Sequence, residues 1–324
     1  MRATDERQRN RNARRGKSCL LRLLLAWMLP GVWCVSGQAA EIQVLLANQS
    51  PHYVQTADRL RAQLGKLKPG VSVRVHTGSE RVAADWPPSD ILVTIGAEAL
   101  STLRAAHPQR VALHLFVTRD FWLDRQARDP ALARHPGLFL DQPPRQLTAL
   151  ARTLLPHART LAIVLGPLAR RHLTEVQTAA EALGFEPLIG VLDAADNPLA
   201  VLSPLVGAAD ATLVLPDRAD FNGAVAKWLL QLGFRKQVPV IAFSRTYVDA
   251  GALAAVFTTP DDVAREGAEL LAEWLETGRH PEGPRYPTAH SVATNAAVAE
   301  ALGIELPEDA AIGQRLDAVL GKLP

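Results

Sequence analysis

The chain has 324 residues, 48% of them hydrophobic and 21% charged, enough for one large or two medium cores, and it reads as an ordinary globular protein rich in helix. Its net charge of +2 is unevenly placed: residues 1–40 hold eight basic and two acidic side chains, leaving 27 basic against 31 acidic in the rest, a net −4. The basic excess therefore lies in the leader, and the charge excludes nucleic acid as a partner.

Residues 1–40 divide into three parts. A basic segment runs to Lys17, an uncharged apolar run spans Leu23–Val35, and small residues follow at Ser36, Gly37, Ala39 and Ala40. That run falls short of the roughly 20 apolar residues a bilayer span needs, but it suits a signal peptide cleaved near Ala39 or Ala40. The expectation is export to a bacterial periplasm, with an uncleaved signal anchor as the alternative. Arg14-Arg15 hints at a twin-arginine signal, but the residues after it match poorly; Cys34 follows Trp33, where lipidation needs a small residue. Both cysteines, Cys19 and Cys34, lie in this leader. The mature chain, expected from residue 41, then has no disulfide, no thiolate metal ligand and no cysteine nucleophile, which is compatible with an oxidising compartment.

From residue 41 short apolar runs alternate with amphipathic stretches. Glu41–Ala47 reads as a strand, and Ser50-Pro51 as a cap and helix-starting proline for a helix to about Lys66, with Val54, Ala57, Leu60, Ala62 and Leu64 inward. Strands are expected at Val71–Val75, Asp90–Gly96 and Arg110–Thr118, with a helix over Ala97–Ala106 and a short extended piece at Gly137–Asp141. Next come a helix over Pro144–Leu155, a strand over Thr160–Gly166 and a helix from about Ala169 to Leu183. Further strands are expected at Pro187–Leu192, Ala211–Leu215, Pro239–Ser244 and Leu253–Phe257, and helices at Asn197–Val206, Phe221–Leu232 and Pro260–Glu276. This alternation implies α/β architecture with parallel sheets built from right-handed crossovers and covered by helices on both faces. About ten strands are many for one such sheet, so two lobes are expected. Gly278–Pro287, rich in Gly and Pro, reads as an exposed connection between them.

Catalytic signatures are missing. There is no phosphate-binding loop, no dinucleotide glycine fingerprint, no nucleophile serine between glycines and no histidine pair at helical metal-ligand spacing. The histidines, for example His52, His76, His107, His157 and His290, are scattered and read as surface or half-buried polar residues. No enzyme activity, no metal and no cofactor is expected. What remains is the set of loops at the carboxyl ends of strands, where open α/β sheets bind ligands. They nominate Asn48, Gln49, Gly96, Thr118 and Arg119 in one lobe and Gly166, Asp217, Ser244, Arg245 and Tyr247 in the other. Each also has a plain turn or cap reading. Arg119 or Arg245, paired with Asp217, would suit the carboxylate and ammonium of an amino acid.

Pro239–Gly251 reads PVIAFSRTYVDAG and continues as ALAA over Ala252–Ala255; His290–Glu308 reads HSVATNAAVAEALGIELPE, with Asn295, Ala299, Leu302, Gly303, Ile304 and Pro307 at set spacings. Together with Asp90–Gly96, Gln142–Pro156 and Asp210–Asp217, these segments resemble the TrpX-like family of ABC-transporter substrate-binding proteins. The resemblance implies a type I periplasmic binding protein fold with three connecting segments and a ligand in the interlobe cleft. It implies lobe 1 at 41–140 plus 247–282 and lobe 2 at 141–246 plus 283–324, and it puts Ser244 and Tyr247 near a crossover, in reach of ligand. It further implies a monomer that closes on a small organic ligand, possibly an amino acid, and hands it to an inner-membrane ABC permease and its ATPase. A periplasmic sensor or accessory protein that docks on a signalling receptor is the alternative.

Overall fold

In the computed structural model the alternating runs become two six-stranded sheets. Residues 41–78, 86–193, 196–217 and 219–323 are described; the leader, with its signal and its two cysteines, lies outside them, as does Arg218. The first sheet takes β1 (Ile42–Leu46), β2 (Val73–Thr77), β3 (Ile91–Ile95), β4 (Ala112–Val117), β5 (Gly137–Phe139) and a two-residue β11 (Pro284–Arg285), in the order β11-β5-β4-β3-β1-β2. All its pairings are parallel. The second takes β6 (Thr160–Leu165), β7 (Glu186–Val191), β8 (Ala211–Val214), β9 (Val240–Ala242), β10 (Ala254–Phe257) and β12 (Ser291–Thr294), ordered β12-β10-β9-β8-β6-β7. Only β12 runs antiparallel, against β10.

Each sheet is buried on both faces, which is why its strands read as unbroken apolar runs. Along β1, Ile42, Val44 and Leu46 enter one core with α1 (Pro51–Leu67) and α9 (Pro260–Thr277), while Leu45 faces the other way toward α2 (Ala97–Ala106). In the second lobe Leu161, Ile163 and Leu165 pack on α4 (Pro144–Leu154), α5 (Leu173–Ala182) and α11 (Asp309–Leu320). Val164 packs on the opposite side with α6 (Pro198–Gly207), α7 (Ala219–Lys236) and α8 (Arg245–Asp249). In α1 the inward set is Thr56, Ala57, Leu60 and Leu64; Val54 and Ala62 are exposed, and Thr56 satisfies its hydroxyl on the His52 carbonyl within the helix.

Three crossovers join the lobes: 140–143 into α4, Thr258-Thr259 into α9, and 286–290 into β12. The second and third lie elsewhere than the sequence suggests. Because β10 pairs with β9 and β12, residues 247–257 belong to lobe 2; because β11 pairs with β5, residues 283–285 belong to lobe 1. The chain switches at a built helix start, where Thr259 and Asp262 form a reciprocal capping box ahead of Pro260. The Gly/Pro-rich stretch is mostly the return through lobe 1.

One helix escapes the periodicity altogether. α3 (Arg119–Arg128) has a polar sequence anchored by Trp122, which is fully buried, and its first turn is capped by Thr118, whose hydroxyl accepts from the Phe121 N–H. Arg119 therefore opens a helix where a loop is expected. α8 and α10 (Ala296–Ala301) are likewise additional short helices.

Candidate functional site

The carboxyl ends of β4, β5, β6 and β8 face one another and enclose a cavity of about 40 Å3. Lobe 1 contributes Thr118, Asp120, Asp141 and Tyr286; lobe 2 contributes Leu147, Leu168, His172, Leu215, Pro216 and Asp217. That volume holds a few water molecules and lies well below the several hundred Å3 of an organic-ligand site.

Gln142 lines this cavity and sits where the three crossovers meet. Its Nε2 donates to the Thr258 hydroxyl at 2.7 Å and to the Ala289 carbonyl at 3.0 Å. One buried amide on the first crossover thus ties down the second and the third. Nearby, Glu266 of α9, also buried, accepts from the backbone and hydroxyl of Thr288, holding the third crossover against lobe 1.

A charged cluster spans the cleft. From lobe 1, Arg119 donates through Nη1 to Glu175 Oε2 at 2.8 Å and to the Tyr286 hydroxyl at 3.0 Å. Asp120 accepts from His172 Nε2 at 3.0 Å, and Arg171 reaches both Asp120 and Asp124. Burial pulls the His172 imidazole down, but the hydrogen bonds from Asp120 and Glu175 outweigh it and raise its pKa to about 9. At neutral pH it is an imidazolium between carboxylates of opposite lobes. Asp141 is the contrast: burial pushes its carboxyl up to about 6, against the opposing pull of the Arg119 backbone N–H at 2.8 Å.

The strand end that feeds the site is irregular. β4 carries a bulge between Leu115 and Val117, and Phe116 sits there with φ of 62°. A bulky residue in that region is a genuine outlier, and the bulge shifts the register so that Val117 is buried in lobe 1 against Leu100, Trp122 and Phe139 just before Thr118 and Arg119. Phe116 meets Tyr53 edge-on at 5.5 Å. Gly96, with φ of 97°, packs so closely that an added Cβ would lie 2.9 Å from both Ala47 Cβ and the Tyr53 ring.

Of the ten residues nominated by the loops, Thr118 and Asp217 line the cavity and Arg119 borders it through Tyr286. The others do not gather there. Asn48 and Gln49 are exposed, and Asn48 accepts from the Ser50 N–H in a local turn. Gly166 is buried, its carbonyl bonded to the Arg170 N–H. Ser244 caps α8, exposed Arg245 lies over the Phe257 ring, and Tyr247 is buried in the lobe 2 core against Phe243. The idea that Ser244 and Tyr247 flank a crossover fails because the crossover comes after Phe257. Of the proposed amino-acid readers, the Arg119 guanidinium is held by Glu175 and Asp217 Oδ2 accepts the Leu168 and Ala169 N–H groups, while Arg245 is exposed and lies away from the cavity. Loop reading misses Asp120, Asp141, Gln142, His172 and Tyr286. Of these only Asp141-Gln142, directly after a short strand, carries a signal.

No protein-family model matches the chain, and no curated protein matches it. Solved structures do. A substrate-binding protein with adhesive properties from Clostridium difficile, in its ligand-free open form, shares 15% identity with a TM-score of 0.69, over 83% of this chain and 97% of that one. An ABC domain from Streptococcus pneumonia in complex with L-Trp shares 17% identity with a TM-score of 0.56, over 88% and 98%. A periplasmic ribose ABC transporter protein from Conexibacter woesei shares 13% identity with a TM-score of 0.52, over 82% and 96%. The fold is that of a type I periplasmic binding protein. Within this periplasmic-binding-protein fold the late segment His290–Glu308 does structural work. Asn295 caps α10 by accepting from the Val298 N–H and donates to the Val248 carbonyl. Ala299 is buried, and Gly303, at φ of 65°, ends the helix. Among the described residues no helix is long and apolar enough to cross a membrane.

Proposed function

We propose that this chain is an exported solute-binding protein that closes its two lobes on a small organic ligand and delivers it to an ABC importer, without turning it over. The observation that carries the reading is the cavity at the facing carboxyl ends of both sheets, hinged on Gln142 and spanned by ion pairs that opening would break. The three solved structures named above support it, being a substrate-binding protein, an L-Trp-bound ABC domain and a periplasmic ribose ABC transporter protein. The leader supports export, since a basic start, an apolar run and a small-residue end suit a signal peptide.

Closure on ligand makes a measurable demand. A ligand that binds the folded state raises its stability by about 2.7 kcal/mol at a hundredfold excess over Kd. Native mass spectrometry of the protein purified from periplasm, followed by thermal-shift titration of whatever co-purifies, is expected to find one small molecule that raises Tm saturably. A metabolite library that leaves Tm unmoved, together with a ligand-free mass, would sink the reading.

A further inference from the structure

The polar groups around the cavity are unbalanced. Asp120, Asp141 and Asp217 all line it, against one imidazolium, His172, and no lysine or arginine is among the lining residues. Arg119 stands at the border with its guanidinium committed to Glu175 and Tyr286. A second observation points the same way. Gln142, only 4% exposed, spends its Nε2 on the hinge, and its Oε1, a buried acceptor, has no hydrogen-bond partner. The inner end of the cleft therefore offers acceptors and negative charge, over an apolar wall of Leu147, Leu168, Leu215 and Pro216. A buried acceptor without a donor is costly, and a charged donor relieves it best.

We propose that this inner end seats a protonated amine, so that the solute is an organic amine with an apolar skeleton rather than an amino acid or a sugar. The proposal rests on the solute-binding reading and goes beyond it by choosing the ligand's charge. The ammonium would lie between the Asp141 carboxylate and Gln142 Oε1, with the skeleton toward the leucines. A carboxylate on the same ligand would meet Asp120 and Asp217, and the one lining cation, His172, is already held by Asp120 and Glu175.

The groups facing Asp141 are Asp120, His172, Tyr286 and the Arg119 backbone N–H, with Asp217 across the cavity. Of the carboxylates that bound the cavity it is the one burial lifts to about 6, whereas His172 keeps its proton up to about 9. Amine affinity is accordingly expected to be flat from pH 8 to pH 6.5 and to fall as pH drops below about 6.

The test is titration calorimetry of the full chain against one skeleton in four charge states: phenethylamine, N-acetylphenethylamine, 3-phenylpropionate and L-phenylalanine, with an aliphatic diamine and ribose beside them. The expected result is binding of an amine at least tenfold tighter than its acetylated, acidic or zwitterionic counterpart, with the pH profile above. Asp141→Asn keeps an acceptor for the Arg119 N–H but removes the charge, and should weaken the amine about tenfold or more at unchanged Tm. If Asp141→Asn unfolds, the wild-type pH profile decides alone. Equal or better binding of the acid, the amino acid or ribose, or no binding of any amine, overturns the proposal. In the first case the solute-binding reading stands; only failure of the wider metabolite screen removes that too.

Discussion

His135 and His172 each sit beside an arginine and an acidic residue, yet at neutral pH one ring is neutral and the other is a cation. His135 lies inside lobe 1, in a chain that runs from Arg104 Nη1 to His135 Nε2 (3.2 Å), from His135 Nδ1 to His114 Nε2 (3.0 Å) and from His114 Nδ1 to the Thr94 hydroxyl (2.7 Å). Because Arg104 can only donate, His135 Nε2 must accept. The shorter contact at Nδ1, to His114 Nε2 at 3.0 Å against the Ala112 N–H at 3.4 Å, then places the ring's proton on Nδ1, donated to His114, whose own Nδ1–H meets Thr94. Both rings are neutral by this logic. Burial, reinforced by Arg104, lowers His135 to about 4, and burial holds His114 well below its usual range. At His172 carboxylates reach both ring nitrogens, Asp120 at Nε2 and Glu175 at Nδ1, and they outweigh Arg119, whose Nη1 also lies 3.4 Å from Nδ1. The same three residue types thus make a rigid uncharged spine in one lobe and a charged clasp between lobes. Which side chain contacts the imidazole decides between them.

The largest effect should come from breaking the spine at Arg104. It makes a two-pronged pair with Asp129 at 2.8 and 3.1 Å and also donates to the Pro108 carbonyl, all while 4% exposed. Arg104→Met leaves Asp129 and the His135 acceptor without their donor. Loss of about 3–5 kcal/mol is expected, read as a fall in the urea midpoint. The matching change in the clasp, Arg119→Met, should cost far less, because Arg119 and Glu175 are both part-exposed. Equal losses at the two arginines would erase the distinction.

The second prediction uses pH. The folded pKa of His135, near 4, lies below the ordinary value of about 6.5, so the unfolded chain binds the extra proton between those values. Stability from this group is present above about 6.5 and is lost as pH falls toward 4, by up to about 3 kcal/mol. Asp141 works in the opposite direction over nearly the same window, since its raised pKa makes the folded state take up a proton first. The contribution is therefore read as a difference: wild type should lose more stability between pH 6.5 and 4.5 than His135→Gln. Parallel pH curves for the two would show that the ring is not held neutral.

What the sequence makes legible follows from the range of each interaction. Ile91–Ile95 and Thr160–Leu165 announce themselves as buried strands, because parallel strands covered on both faces must be apolar throughout. Counting such runs gives about ten strands and hence two lobes; the two-residue β11 and the antiparallel β12 carry no such run and go unread. Trp122 is the one buried apolar residue of α3, its other buried side chain being Asp120, and a single apolar anchor in a polar stretch makes no period to read. The clasp is less visible still: Asp120 and His172 are 52 residues apart and belong to different lobes. No local spacing encodes their meeting. Asp217 was findable as a residue at a strand end, but its role was not, since its partners are the backbone N–H groups of the neighbouring β6 loop.

A third prediction separates the clasp from the fold. Residues 41–324 contain no cysteine, so one introduced cysteine on each lobe, beside serine replacements at Cys19 and Cys34, gives a clean pair of spin labels. Glu175→Gln should broaden the interlobe distance distribution toward the open form while leaving the unfolding free energy within about 1 kcal/mol of wild type. An unchanged distribution would mean that Gln142 and the hinge alone hold the lobes together.

The smallest effect expected is alkaline loosening of the same clasp. The His172 pKa is raised above its ordinary value, so the attraction it supplies is complete below about 6.5 and is lost as pH rises through about 9. Not all of it bears on closure. Glu175 lies on the same lobe as His172, three residues along, and keeps its contact when the lobes part; only the Asp120 bond is broken. Solvent near the open cleft screens what remains, so about 1 kcal/mol, or roughly fivefold in the closed-to-open ratio, is the expected loss between pH 7.5 and 9.5. The label distances should widen over that interval in wild type and stay fixed in His172→Gln, where no proton is left to lose. A pH response that survives in His172→Gln would place the titrating group elsewhere, and the contrast between the two histidines would then rest on His135 alone.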